Sequence, residues 1–378
     1  MLADDITQAV LARKDVAKYL RGGHGQSELE ARERITGYLD ELRTTQRYPI
    51  YRALKHPLYP IILRKIQRID EHVEIPQQAT RKGRVIYISN HKSHLDYLVE
   101  PLALDDNGIR PPVTAAGINL FGGALGVLHR HVTGAVPIRR NTKDPAYLVT
   151  LKAYIAELLQ RHDLLFYIEG GRSYTGELKA PKTGLLHATM QAQLDGVVIV
   201  PLAVAYDLVL EDHILARQGT KRGQRPFRRE VAEMVRYAVR YESRAFTTFG
   251  TPISLTGYDP DSRRDVMALA HHVRDTIGLL YKVLPTAVVA AAMRPSIVRR
   301  ELEARADEIL AILKDSRANL GVRNGREAVE SGGAMLEERG VLHVDRTGRF
   351  RVRERNVLRY YARTLQHLLS VPRGGRTH

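Results

Sequence analysis

Apolar residues in this 378-residue chain recur with two different periods. Short runs rich in Val, Ile, Ala and aromatic residues alternate with longer stretches in which apolar positions return every three or four residues. "RVIYIS" (84–89), "PPVTAA" (111–116), "GAVPI" (134–138), "LLFYIE" (164–169), "VVIVPLAVAY" (197–206) and "RAFTTFG" (244–250) have the composition of strands. "PAYLVTLKAYIAELLQRH" and "TGLLHATMQAQL", between them, have helical spacing. Alternation at this length implies βαβ units. The expected fold is therefore α/β, a mixed, mainly parallel sheet flanked by helices, with ligands at the carboxyl ends of the strands. Residues 1–70 read as a charged helical region ending in "RYPIYRALKHPLYPIILRKIQR", residues 71–294 as the α/β domain, and residues 295–378 as a helical, winged-helix-like unit. The hairpin of that last unit is "RGVLHVDRTGRFRVRER", with Thr347-Gly348 as its turn. "VLPTAVVAAAMRPS" (283–296) reads as a linker helix or a strip packed between the last two regions.

Composition excludes several classes. A hydrophobic content of 44% is too high for a disordered chain. A net charge of +16 and a pI near 9.9 call for an anionic partner: nucleic acid, an anionic lipid surface or a phosphorylated substrate. With no cysteine there is no disulfide framework, thiolate nucleophile or cysteine-ligated zinc. The N-terminal "MLADDITQAVLARK" lacks the pattern of a secretory signal. The longest uncharged apolar stretch, Val113 to Leu128, falls short of the ~20 residues a spanning helix needs. The expectation is a protein on the cytoplasmic face of the membrane, held peripherally and without a transmembrane helix.

The residues that could carry chemistry begin in "YISNHKSHLDYLVEP" (87–101), where His91, Lys92, His94 and Asp96 follow an apolar strand. Taken alone, the spacing fits a helix start in which Ser93 caps and Asp96 completes a capping box. His91 and His94 as metal ligands lack a third ligand nearby. The blocks that follow change the balance: "GAVPIRRN" (134–141), "FYIEGGRSYTG" (166–176), "PKTGLL" (181–186) and "IVPLAVAYD" (199–207), each at or near the end of an expected strand. This succession resembles the glycerol-3-phosphate and dihydroxyacetone-phosphate acyltransferases with their His-x-x-x-x-Asp block, in the bacterial membrane-associated form. The resemblance runs over residues 85–255, with "FGTPI" (249–253) matching a final strand, and extends loosely to "VLRYYARTLQHLL" near the C-terminus. Lys92 replaces the arginine common in the first block, Tyr174 stands where a second basic residue often follows, and the chain is shorter than the bacterial enzymes.

The resemblance implies transfer of a fatty acyl group from acyl-CoA or acyl carrier protein to the sn-1 hydroxyl of glycerol 3-phosphate, without cofactor or metal. The product is lysophosphatidic acid, in the first step of phospholipid synthesis. Dihydroxyacetone phosphate or a lysophospholipid is the alternative acceptor. His91 would be the general base, and Asp96 would fix its tautomer. Five residues of helix would rotate the two apart, so His91 has to sit in the turn before the helix, where dyad and cap compete for one carboxylate. Arg139, Arg140 and Arg172 would hold the acceptor's phosphate, helped by the Gly170 and Gly171 amides, the Ser173 donor and the charge of Lys182. Glu169 would bind the acceptor's free hydroxyl. A basic winged-helix nucleic-acid-binding protein is the reading from another class, disfavoured because the family's own C-terminal region explains the unit. For an anionic membrane surface two segments stand out, 47–68 with its interleaved aromatic and basic residues, and "KRGQRPFRRE" (221–230).

Overall fold

The computed structural model describes residues 2–22, 27–121, 123–218 and 241–370. Four helices come first: α1 (Leu2–Ala12), α2 (Lys14–Arg21), α3 (Glu28–Leu42) and α4 (Tyr48–Ile62). Ser27 and Glu30 start α3 with a reciprocal capping box. The main sheet contains β1 (Ile66–Glu71), β2 (Val85–Ser89), β3 (Val113–Gly117), β4 (Ala135–Ile138), β5 (Leu164–Tyr167), β6 (Val198–Tyr206), β7 (Ser243–Phe249) and β8 (Ile253–Ser254). Among and after these strands run α5 (Glu74–Lys82), α6 (Asp96–Asp106), α7 (Gly123–His131), α8 (Pro145–Arg161), α9 (Thr183–Met190), α10 (Asp212–Gln218) and α11 (Arg263–Leu280). The strand order is β1-β7-β6-β2-β5-β3-β4, with β8 beside β6. The block from β6 to β4 is parallel, and β7 and β8 run antiparallel to β6. The architecture is mixed α/β with a mainly parallel central sheet.

β2 is buried along its whole length, which is why "VIYIS" reads as a continuous apolar run rather than an alternation. Alternate residues feed two cores. Ile86, Ile88, Leu164 and Phe166 join α8, α9, α11 and the N-terminal helices through Ile35, Leu39 and Leu42. Val85, Tyr87, Leu165 and Val204 join α6 and the C-terminal region on the other face.

The C-terminal region contains α12 (Pro285–Ala292), β9 (Ser296–Val298), α13 (Arg299–Asp315), α14 (Gly325–Ala328), a π-helical turn Val329–Gly333, α15 (Ala334–Glu338), β10 (Leu342–Val344), β11 (Arg349–Val352), α16 (Arg355–Arg363) and α17 (Gln366–Leu369). β9, β10 and β11 form a small antiparallel sheet. Asp345 organises the expected turn by accepting from Thr347 N (2.9 Å) and Arg349 N (3.1 Å). The region shares its core with the main sheet: Thr286 donates to the Asp207 carbonyl at 2.8 Å, and the Tyr361 hydroxyl, which donates to Asp212 at 2.7 Å, accepts from Val209 N at 3.0 Å.

One local expectation changes, and one choice the sequence left open is decided. Residues 66–70, read as the end of the helical N-terminal region, belong to β1, an edge strand paired in parallel with β7; its charged residues are tolerated because most of the strand is only half-buried. The 283–296 stretch is the almost fully buried helix α12 followed by the start of β9, which fits the packed strip and not the linker helix of the two readings the sequence allowed.

Candidate active site

The parallel register sets the site. Ser89 at the end of β2 lies opposite Tyr167 at the end of β5, so two residues further on His91 meets Glu169. The loops are then stitched together: His91 N donates to Glu169 Oε1 at 3.0 Å, and Ser173 N donates to the His91 carbonyl at 2.9 Å. His91 lies in the turn before α6, and Asp96 is the first residue of that helix.

His91 Nδ1 is 2.9 Å from Asp96 Oδ2. The same oxygen accepts from Lys92 N (2.7 Å) and Ser93 N (3.0 Å), while Oδ1 accepts from the Tyr206 hydroxyl at 2.6 Å. One fully buried carboxylate thus closes the turn and holds the imidazole together, and the expected competition between those tasks does not arise. Because a carboxylate only accepts, Nδ1 carries the proton and Nε2 is left basic, with no hydrogen bond to it among the described residues. The ring stacks on Tyr167, centroids 3.9 Å apart and planes 9° from parallel. Burial pushes the His91 pKa below its ordinary value; Asp96 opposes this, and Arg172 and His94 add to it. The imidazole is therefore neutral at neutral pH.

Glu211, also fully buried, accepts from Ser93 Oγ (2.8 Å) and His94 N (2.7 Å), and its Oε1 lies 3.7 Å from Arg172 Nη1. Lys92 is 2% exposed and donates to the Gly176 carbonyl at 2.7 Å; burial lowers its pKa. That lysine fastens the Gly-Gly loop under the histidine turn.

Around the loop gathers a group of cations. A Cβ built on Gly171 would lie 3.4 Å from Arg140 Nη1, and one on Gly117 3.0 Å from Arg140 Nη2, so this guanidinium spans the ends of β3 and the Gly-Gly loop. Gly170 has φ +66°, and the Lys182 stem passes 3.0 Å from where its Cβ would be. Arg172 and Lys179 sit 5.7 and 5.5 Å from the Tyr174 ring centre. Burial lowers the pKa values of Arg140 and Lys179, and neighbouring cations lower them further: Arg172 for both, with Arg140 and Lys182 also acting on Lys179. A positive field with this spacing favours a bound anion.

Not every expected side chain faces this group. Arg139 forms a fork with Glu41 of α3 (Nε to Oε1 2.7 Å) and lies over Tyr38. Both Glu169 oxygens are taken by backbone amides, of His91 and of Lys179 at 3.1 Å, and the residue is 3% exposed. The Ser173 hydroxyl donates to the Glu177 carbonyl at 2.7 Å, facing inward. Conversely, Tyr167, Lys179, Tyr206 and Glu211 belong to the site and were not singled out from sequence. "AYDLVLED" (205–212), which spans the end of β6, carried a usable signal, polar groups at the carboxyl end of a central strand.

Among the described residues no group of three potential metal ligands occurs, and no helix is long and apolar enough to cross a membrane.

Residues 70–205 match the Acyltransferase family model. The glycerol-3-phosphate acyltransferase of Aeromonas hydrophila is 30% identical over 77% of this chain and 39% of its own length. That of Pseudoalteromonas translucida is 33% identical over 63% of this chain and 30% of its own. The chain thus spans well under half the length of these curated relatives. Among solved structures, the 1-acyl-sn-glycerophosphate (LPA) acyltransferase PlsC of Thermotoga maritima is 14% identical, with a TM-score of 0.38 over 73% of this chain and 95% of that one. The His91–Asp96 pair falls inside the 70–205 segment that matches the Acyltransferase family model.

Proposed function

We propose that the protein transfers a fatty acyl group from an acyl thioester, acyl-CoA or acyl carrier protein, to the sn-1 hydroxyl of glycerol 3-phosphate. The observation that carries this is the oriented His91–Asp96 pair beside a loop ringed by Arg140, Arg172, Lys179 and Lys182. An alcohol is a poor nucleophile until its proton is removed in the transition state. His91 Nε2 takes that proton while the hydroxyl oxygen attacks the thioester carbonyl carbon. The C–S bond then breaks, and the imidazolium returns the proton to the departing thiolate. Such general base catalysis contributes ~10²–10⁴-fold.

The cations, with the Gly170 and Gly171 amides, hold the acceptor's phosphate; rigid guanidinium forks suit its oxygens. Residues 71–294 carry the chemistry in this reading.

The protein works at the cytoplasmic face of a membrane, because its product is an amphiphile. In α4 and β1, Tyr48 donates to Asp105 at 2.6 Å, Lys55 bonds Asp105 and Asp106, and Arg68 bonds Asp106 at 2.5 Å. Those groups face α6, and Ile50, Arg52 and Arg64 are among the exposed described residues available to contact lipid. The side chains of Leu58, Tyr59 and Ile62 and the whole of 221–230 lie outside the described residues. Incubation of purified protein with glycerol 3-phosphate and each donor, followed by mass spectrometry, tests the reading: lysophosphatidic acid is expected, and its absence with both donors would overturn it.

A further inference from the structure

Helix α16 carries Arg355, Arg359 and Arg363 at four-residue intervals, so they form one stripe along the helix. Val357, Leu358, Tyr360 and Tyr361 on the other side are buried. The stripe is not remote from the site. Gly176, at φ +88°, lets the site loop come so close that an added Cβ would lie 2.0 Å from the Tyr360 carbonyl oxygen, and it is the Gly176 carbonyl that Lys92 holds. Between this loop and α16 lies a cleft of about 70 Å³ lined by Tyr174, Thr175, Asn356, Arg359, Tyr360 and Arg363. A water needs ~10–15 Å³ on this measure, so there is room for several waters or one phosphate group.

Charge and position give the cleft its chemistry. Arg363 pairs with Glu177 at 3.2 Å. Arg359 is exposed, and no carboxylate among the described residues pairs with it. Tyr174 belongs to both basic regions: its ring lies by Arg172 and Lys179, and its side chain lines the cleft with Arg359. A transfer between a phosphorylated alcohol and a phosphopantetheine thioester has at least two phosphates to place, and one cluster of cations already serves the alcohol.

We propose that the Arg359–Arg363 cleft binds the phosphate of the acyl donor's pantetheine arm, so that α16 supplies the donor side of the site. This rests on the acyl-transfer reading and assigns its second substrate. Coenzyme A and acyl carrier protein share the phosphopantetheine phosphate, and Arg355, farther along the stripe, lies where an acidic carrier surface would extend beyond it.

The test is donor kinetics of the full chain, wild type against Arg359→Ala and Arg359→Glu, with acyl-CoA, acyl carrier protein and an acyl-pantetheine that lacks the phosphate. Loss of one charge-assisted contact raises the Michaelis constant about tenfold or more. The expected pattern is that rise for both phosphorylated donors, more for Arg359→Glu, with the constant for glycerol 3-phosphate and the acyl-pantetheine kinetics unchanged. An added effect of Arg355→Glu confined to acyl carrier protein marks the carrier as donor, and no added effect with either marks coenzyme A. Unchanged donor constants, or an equal loss with acyl-pantetheine, overturn the proposal while leaving acyl transfer intact. If the wild type transfers nothing, the parent reading fails, and calorimetric titration with coenzyme A decides the cleft: binding weakened tenfold by Arg359→Glu supports it, and absent or unaltered binding overturns it.

Discussion

Replacing Arg140 or Arg139 by alanine separates two adjacent arginines that the structure places in different surroundings. The Arg140 guanidinium lies against Gly117 and Gly171, among the cations of the phosphate cluster. The Arg139 guanidinium is engaged by Glu41, in a pair whose side chains are 42% and 19% exposed. A charge-assisted contact to phosphate contributes ~1.5–3 kcal/mol, so Arg140→Ala should lower kcat/KM for the acceptor roughly 10–150-fold. An exposed ion pair contributes only ~0.2–1 kcal/mol, so Arg139→Ala should cost less than about 1 kcal/mol of stability through looser docking of α3. Its acceptor Michaelis constant should stay within about twofold of wild type. Initial rates at saturating donor with varied glycerol 3-phosphate, together with urea unfolding of both variants, measure both effects. If Arg139→Ala raises the acceptor constant as much as Arg140→Ala does, the placement of the phosphate is wrong.

Three further outcomes are expected. Tyr206→Phe removes the 2.6 Å bond to Asp96 and should lower kcat about tenfold with little change in either Michaelis constant, whereas a pure KM effect would contradict a positioning role. Burial pushes His162 and His367 down to about 4, so the unfolded chain, with ordinary histidines near 6.5, binds protons first as the pH falls. Stability should be full above about pH 6.5 and decline toward pH 4, by at most about 3 kcal/mol for the more buried His367 and by less for His162; urea midpoints that stay constant across that range would refute this. Vesicles with anionic lipid should sediment the protein at low salt, and charge reversal at Arg52 and Arg64, each worth ~1 kcal/mol near such a surface, should weaken that binding; indifference of the wild type would end the peripheral-membrane proposal.

What the sequence made legible is local. The strand runs near Val85, Leu164 and Val198 were readable because parallel strands buried on both faces are continuous apolar segments. The His91–Asp96 pair was readable because both members lie within one turn of chain. Its supports were not: Tyr206 and Glu211 reach the same turn from 110 or more residues away, and only the pairing of β6 with β2 brings them there. The choice between Arg139 and Arg140 was equally hidden, since adjacent residues at a strand end point to opposite sides and the spelling "IRR" does not say which side is the site. β1 was missed because its sequence, "IQRIDE", is charged enough to pass for helix, and its strand state comes from β7.

The central claim is that His91 is the base for acyl transfer to a phosphorylated alcohol. It is tested most directly by quantifying lysophosphatidic acid formed by wild type and by His91→Ala at saturating donor and glycerol 3-phosphate, with circular dichroism confirming that both are folded. The account predicts product from the wild type and a loss of ~10²–10⁴-fold in the variant. Turnover near wild type in folded His91→Ala would contradict it.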